Sequence, residues 1–254
     1  MLDFARMTSF MKPGYCPLER VLSKLGIASR TVARTWIHAG RVRVNGVIRA
    51  DHQLPVFLEG VKIQLDGRDV SKAQRRVFLL HKPRGVITSR LDEQGRATVF
   101  SFLKELKVQL HAVGRLDFAT SGLLILTNDT YFSSWLTNPE TAVSRKYAVS
   151  ARGEITEEKL ILLRAGIENA GEILRPSQVD LRKTSKKESH LTVELKEGKN
   201  REIRRLFLAV GNEVIRLKRL SFGDLSLGSL KVGEYREVFT DELYRAFPEF
   251  CIRN

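Results

Sequence analysis

Asp117 is the acidic side chain in the run Gly114-Arg115-Leu116-Asp117-Phe118-Ala119-Thr120-Ser121-Gly122, which lies between Val113 and the apolar stretch Leu123-Leu124-Ile125-Leu126. A carboxylate on a loop between buried segments, beside an arginine and flanked by glycines, is placed to act as a nucleophile or a general base. The same position suits an Asx-turn or a helix cap, because Thr120 and Ser121 follow closely. Position alone leaves both readings open. Other chemistries find less to work with. The five histidines (His38, His52, His81, His111, His190) have no metal-ligand spacing, and the chain has neither a phosphate-binding glycine loop nor a G-x-S-x-G elbow. Cys16 and Cys251 stand near opposite ends, too few for a disulfide framework or a cysteine zinc site, and a reducing compartment is the expectation.

The elements that must position Asp117 are legible around it. Val77-Phe78-Leu79-Leu80 reads as a buried strand punctuated by Lys82-Pro83-Arg84-Gly85. Ser144-Arg145-Lys146-Tyr147-Ala148-Val149 starts another strand, residues 155–167 hold a helix with Ile155, Leu160 and Leu163 inward, and Val193 and Leu195 alternate later. Gly198 to Phe207 opens a helix running to Val210-Gly211, and residues 199–219 carry seven basic and two acidic side chains. Strands scattered between helices in this way predict an α+β domain with a mostly antiparallel sheet.

Upstream lies a smaller module. Leu18, Val21, Leu22 and Leu25 recur at helical spacing until Gly26; Ser29 caps a second helix with Val32, Ala33, Trp36 and Ile37 on its apolar face, closed by Gly40. Val42 and Val44 alternate along a strand, Asn45-Gly46 turns the chain into Val47-Ile48, and Val61 to Leu65 forms a further strand ending at Asp66-Gly67. Arg30 and Arg34 sit one turn apart at the start of the second helix, with Arg41 and Arg43 just beyond it, an arrangement suited to backbone phosphates.

Charge supports that division. The 254 residues hold 43 Lys and Arg against 29 Asp and Glu, a net charge of +14 with a pI near 10.0. Residues 17–75 hold 11 basic and 5 acidic side chains, so a quarter of the chain carries nearly half the excess. A surplus of this size favours a polyanion partner. At 43% hydrophobic residues the chain can build a core, but its longest apolar runs reach only about a fifth of a bilayer span. Met1 to Tyr15 lacks a continuous apolar stretch of signal-peptide length and reads as a loose extension, bounded at residue 16, on a cytoplasmic protein that engages no membrane.

The run "LERVLSKLGIASRTVARTWIHAGRVRVNG" closely resembles the S4 RNA-binding domain over residues 17–75. Together with "HKPRG", "GRLDFATSGLLILTND", "SRKYAV" and "KNREIRRLFLAVGN", followed by "VIRLKRLSFGDLSLGSLKVGEYREV", it resembles the RsuA/RluB/RluE/RluF group of ribosomal RNA pseudouridine synthases, across residues 17–245. The resemblance implies an S4 module followed by a synthase domain over 76–254. It makes Asp117 the catalytic aspartate, Tyr147 the active-site tyrosine and Arg204 the basic residue that pairs with the aspartate. Ala119, where an acidic or polar residue is common, and Thr130, where a glycine follows Asn-Asp, depart from the pattern and bear on loop shape. Lys82, Arg115, Lys199, Arg201 and Arg205 are expected to contact RNA beside Arg30, Arg34, Arg41 and Arg43. The implied isomerisation neither oxidises nor hydrolyses, so no cofactor or metal is expected. The partner expected is ribosomal RNA or an assembling subunit, large-subunit RNA ahead of small-subunit RNA, engaged by a monomer. An S4-bearing assembly factor that has lost catalysis is the competing reading. It gives no chemical reason for a carboxylate in a groove that faces phosphates.

Overall fold

The computed structural model describes residues 14–71, 73–90 and 92–252, and the sequence-derived extension therefore lies almost wholly outside the described residues. Its last three positions do not: Gly14 lies in a turn, Tyr15–Pro17 form strand β1, and Cys16 is buried in the core of the small unit. Residue contacts divide the chain into two units, one built chiefly from residues up to Arg75 and the other chiefly from Arg76 onward.

In the small unit, helices α1 (Leu18–Lys24) and α2 (Arg30–His38) pack on strands β2 (Val42–Val44), β3 (Val47–Ile48), β4 (Pro55–Phe57), β5 (Ile63–Leu65) and β6 (Arg68–Val70). Ser29 caps α2 by accepting a hydrogen bond from the Val32 amide at 3.3 Å. β1 pairs with β4, and the other four strands run in the order β3-β2-β5-β6. Asn45-Gly46 and Asp66-Gly67 each place two successive residues at positive φ, the conformation a tight hairpin turn demands. Leu18, Val21, Leu22, Ala33, Ile37, Val42 and Ile63 fill the core. The second of those hairpins, and the pairing of β1 with β4, escaped the sequence because three-residue strands carry almost no periodicity.

In the large unit the main path contains β7 (Val77–Lys82), β9 (Thr120–Thr127), β10 (Arg145–Arg152), β13 (Gln178–Lys183), β14 (Glu188–Leu195), β15 (Val214–Phe222) and β17 (Tyr235–Val238), with β16 (Leu225–Ser226) paired to β15. A short strand, β8 (His111–Ala112), precedes β9, and β11 (Ile167–Asn169) and β12 (Glu172–Leu174) form a separate hairpin. The order along the sheet is β13-β14-β10-β15-β9-β7-β17. Pairing is antiparallel except between β15 and β9, which run parallel in the register Leu217↔Thr120 and Arg219↔Gly122. The expected α+β architecture with a mostly antiparallel sheet is thus the one observed.

Helices α3 (Thr130–Thr137), α4 (Glu157–Ala165), α5 (Glu202–Ala209), α6 (Thr240–Ala246) and α7 (Pro248–Ile252) complete the chain. Ile155, Leu160 and Leu163 are buried as their spacing predicts. Phe132, Phe222, Phe247 and Phe250 pack with Val77, Leu79, Leu123 and Ile125 into one core cluster. Gly122 is indispensable to the sheet. Its φ is +109°, and a Cβ there would lie 2.2 Å from the Arg219 carbonyl oxygen and 2.5 Å from the Arg219 nitrogen. Among the described residues no helix is long and apolar enough to cross a membrane.

Candidate active site

The Asp117 loop is held by a clamp of side-chain and main-chain bonds. The buried Lys82, at the end of β7, donates from Nζ to the carbonyl oxygens of Pro83 (2.9 Å), Asp117 (3.1 Å) and Thr120 (2.8 Å). Thr88 bonds both main-chain groups of one residue, donating to the Leu116 carbonyl at 2.9 Å and accepting from the Leu116 amide at 3.3 Å. The Gly85 amide donates to the Phe118 carbonyl at 2.8 Å, and the Thr120 amide to that of Asp117 at 3.0 Å. Main-chain atoms of residues 116–120 are therefore tied down while the Asp117 side chain stays exposed. Among the described residues the Asp117 carboxylate makes no cap hydrogen bond; the turn is closed instead by its carbonyl, which accepts from the Thr120 amide. Burial lowers the Lys82 ammonium to about 8, against the pull of the Asp117 charge. Lys82 was expected to touch RNA; its complete burial and its three carbonyl partners make it a loop anchor instead.

Asp117 and Tyr147 line one cavity of about 440 Å³, within the range of small-molecule sites. Tyr147 lies on β10 opposite Arg219 of β15, is 8% exposed, and its hydroxyl has no hydrogen-bond partner among the described residues. Arg145, two residues earlier on the same face of β10, is also buried. It donates to the carbonyls of Lys196 (3.0 Å) and Leu136 (2.9 Å), with its guanidinium 4.7 Å from the Phe222 ring centroid. Arg219 lies over the same ring at 5.2 Å and donates from Nε to the Leu123 carbonyl at 2.7 Å. Neither of these buried guanidiniums is ion-paired to a carboxylate among the described residues. Arg115, Lys199 and Arg201 add positive charge to the lining.

Arg204, on α5, does not form the expected ion pair with Asp117. Its Nη1 donates to the Val214 carbonyl at 2.9 Å, which holds the guanidinium back toward β15. The two charges still interact through space: burial pushes Arg204 down, and the Asp117 carboxylate pulls it up again. Arg205 departs further from its expected role. It donates to Asn169 Oδ1 (2.9 Å), the Asn169 carbonyl (2.7 Å) and Glu172 (2.6 Å), so it braces α5 against the β11–β12 hairpin rather than facing RNA. Lys199 lines the cavity but gives its ammonium to Glu197 and the Ile173 carbonyl, each at 2.6 Å. Arg115 and Arg201 are exposed and make no side-chain hydrogen bond or ion pair among the described residues. Arg201 adopts φ +48° as it caps α5.

Sequence reasoning overlooked Arg145, Arg219 and Glu202 as lining residues. Strand parity carried the signal for the first two: Arg145 shares the face of Tyr147, Val149 and Ala151, and Arg219 that of Leu217. Glu202 shares the buried face of α5 with Leu206, one turn on.

In the small unit, Glu19 is 1% exposed and binds two of the expected phosphate-gripping arginines. It accepts from Arg30 Nη2 at 2.9 Å and from Arg34 Nη2 at 3.1 Å, with a second, shorter bond from Arg34 Nε. Bonding to Arg34, then Arg30, holds the Glu19 carboxyl below its usual range. The two arginine side chains remain 54% and 41% exposed, so the buried carboxylate fixes their direction without removing them from solvent. Arg41 pairs with Asp66 and lies over Trp36, and the exposed Arg43 donates to the Gly46 carbonyl at 3.1 Å.

Comparison with known proteins identifies the family. The RNA pseudouridylate synthase family matches residues 76–209, and the S4 domain matches residues 16–56. Ribosomal large subunit pseudouridine synthase B of Bacillus subtilis is 37% identical over 231 residues, covering 90% of this chain and 94% of the relative. The Pseudomonas aeruginosa protein of the same name is 36% identical over 234 residues, and the chain spans 60% of its length. A crystal structure of a pseudouridylate synthase superposes with a TM-score of 0.65 at 26% identity, over 91% of this chain and 99% of that one. With an aspartate on a clamped loop and a tyrosine at the wall of a cation-lined cavity, the chain belongs to the RNA pseudouridine synthases, isomerases that act on uridine within RNA, and carries an S4 RNA-binding domain.

Proposed function

We propose that the chain isomerises a uridine of large-subunit ribosomal RNA, with Asp117 as the carboxylate at C1′, Tyr147 against the uracil and Arg204 as the cation behind the aspartate. The observation that carries this is the convergence of Asp117 and Tyr147 on one cavity walled by Arg115, Arg145 and Arg219. The names of the relatives that match most of the chain support the choice of RNA. In the reaction the bond from C1′ to uracil N1 breaks, the base turns, C1′ bonds C5, the C5 hydrogen leaves as a proton and N1 takes one up. An ionised carboxylate serves either by adding to C1′ or by removing the C2′ proton. Reaching C1′ requires the nucleotide to leave its stack, at a cost of a few kcal/mol. Arg30, Arg34, Arg41 and Arg43 in the module over 17–75, with Arg115 and Arg201 in the domain over 76–254, offset that cost through phosphate contacts. The same reading has the chain act as a monomer in the cytoplasm.

The test is tritium release from ribosomal RNA labelled at uracil C5, because forming the C1′–C5 bond expels that hydrogen. Wild type releases tritium and Asp117→Asn does not. Tight binding by wild type without release, from naked RNA and from assembling subunits alike, would replace this reading with that of an assembly factor.

A further inference from the structure

Three residues that line the cavity hold a buried polar atom with no hydrogen-bond partner among the described residues: Glu202 Oε1, Arg219 Nη2 and Thr120 Oγ1. A hydroxyl can donate or accept, so Thr120 carries no directional information. The other two do. Glu202 is fixed by its second oxygen, which accepts from the Lys199 amide at 3.1 Å, and this leaves Oε1 as an unused acceptor. Arg219 is fixed by Nε on the Leu123 carbonyl and by its stacking on Phe222, and this leaves Nη2 as an unused donor. Folding does not leave buried donors and acceptors unmatched without a cost, so an unmatched pair in a single cavity points to a ligand that supplies the complementary pair.

Uracil supplies it. Its edge opposite C6 offers the N3–H donor flanked by two acceptors, O2 and O4. We propose that Glu202 and Arg219 are the residues that determine specificity for uracil: Glu202 accepts a hydrogen bond from N3–H, and Arg219 donates to the neighbouring exocyclic oxygen. Arg219 is the cross-strand neighbour of Tyr147, so a base lying against the tyrosine presents its rim to the next strand. Cytosine carries a lone pair at N3, which turns the Glu202 contact repulsive, and an amino group at C4, which does the same to Arg219 wherever that residue faces position 4.

The arrangement also suits the reaction itself. Turning the detached uracil by half a revolution about the line through N3 and C6 exchanges N1 with C5 and O2 with O4, and leaves N3–H in place. One acceptor at N3 and one donor at a carbonyl position therefore serve the base before and after it turns. Burial, with the Glu197 charge adding to it, holds the Glu202 carboxyl above its ordinary value against the opposing pull of Lys199 and Arg145, and in either protonation state the carboxyl keeps an acceptor for N3–H. The inference rests on the reading above that the target uridine enters this cavity.

The test uses the full chain and a short RNA carrying the uridine that wild type modifies, made also with 3-methyluridine at that position. Wild type converts uridine and turns over the methylated base about 10- to 100-fold more slowly, the weight of one hydrogen bond to a charged group. Glu202→Ala slows uridine by a similar factor and brings the ratio of the two rates close to one. Glu202→Asp retains a carboxylate for the Lys199 amide but withdraws it by a methylene, so it shrinks the ratio in a chain whose fold circular dichroism confirms. Variants that slow both substrates equally, with the wild-type ratio kept, would overturn the assignment while leaving the function intact. A wild type inert on the unmethylated RNA would instead remove the reading of the cavity.

Discussion

Replacing Lys82 with methionine removes the ammonium that ties the Asp117 loop to β7 and fills nearly the same space. Two opposing effects set the magnitude. Burial lowers the ammonium from 10.5 to about 8, so its removal recovers about 3 kcal/mol of desolvation cost at 1.36 kcal/mol per pK unit. Against this, the carbonyls of Pro83, Asp117 and Thr120 lose a charged donor, each bond contributing roughly 1.5–3 kcal/mol. The loss exceeds the gain, and Lys82→Met is destabilised by roughly 1.5–6 kcal/mol. The effect on rate is larger in proportion, because two of the three carbonyls belong to the loop that carries the Asp117 side chain, and a displacement of about 1 Å costs roughly 100-fold. Urea unfolding measures the first effect, and single-turnover tritium release at saturating RNA measures the second. RNA affinity and its salt dependence stay at wild-type values, since Lys82 touches no solvent. The reasoning fails if Lys82→Met turns over bound RNA at the wild-type rate while its affinity falls and its salt slope drops by about one, the signature of a lost phosphate contact.

The same lysine gives the protein a pH dependence on the alkaline side. Between pH 8 and 10.5 the folded chain has released the Lys82 proton while the unfolded chain still holds it, so stability rises with pH across that window; a wild-type profile that runs parallel to that of Lys82→Met would be inconsistent with this. On the acid side, Glu19 contributes stability above its ordinary value of 4.5 that is lost as pH falls through its lower folded value. Glu19→Gln therefore flattens the acid limb of the unfolding curve, and at neutral pH it weakens RNA binding by releasing Arg30 and Arg34, both measurable by thermal melts and filter binding. Gly122→Ala places a methyl group inside the Arg219 backbone, and the cost is roughly 4 kcal/mol or more. A melting temperature within a few degrees of wild type would show that β9 and β15 can separate without penalty.

Much of this protein was legible before any coordinates. Local signals fixed the helices of the small unit through Ser29, Gly26 and Gly40, the Asn45-Gly46 hairpin, and the inward face of Ile155, Leu160 and Leu163, because caps, turns and amphipathic spacing act over a few residues. The run from Gly114 to Gly122 marked the loop that carries Asp117 for the same reason. What required the tertiary structure is every role that depends on distant partners. Lys82 reads as one more cation in a basic chain; only the fold brings the carbonyls of Asp117 and Thr120, 35 and 38 residues away, onto its ammonium. Arg204 and Arg205 are adjacent in sequence, yet one bonds the Val214 carbonyl and the other braces a hairpin more than 30 residues upstream. Glu202 and Arg219 look like ordinary surface charges until two strands and a helix remove them from water. Side-chain identity states which bonds a residue can make; burial and long-range pairing decide which of them it does make.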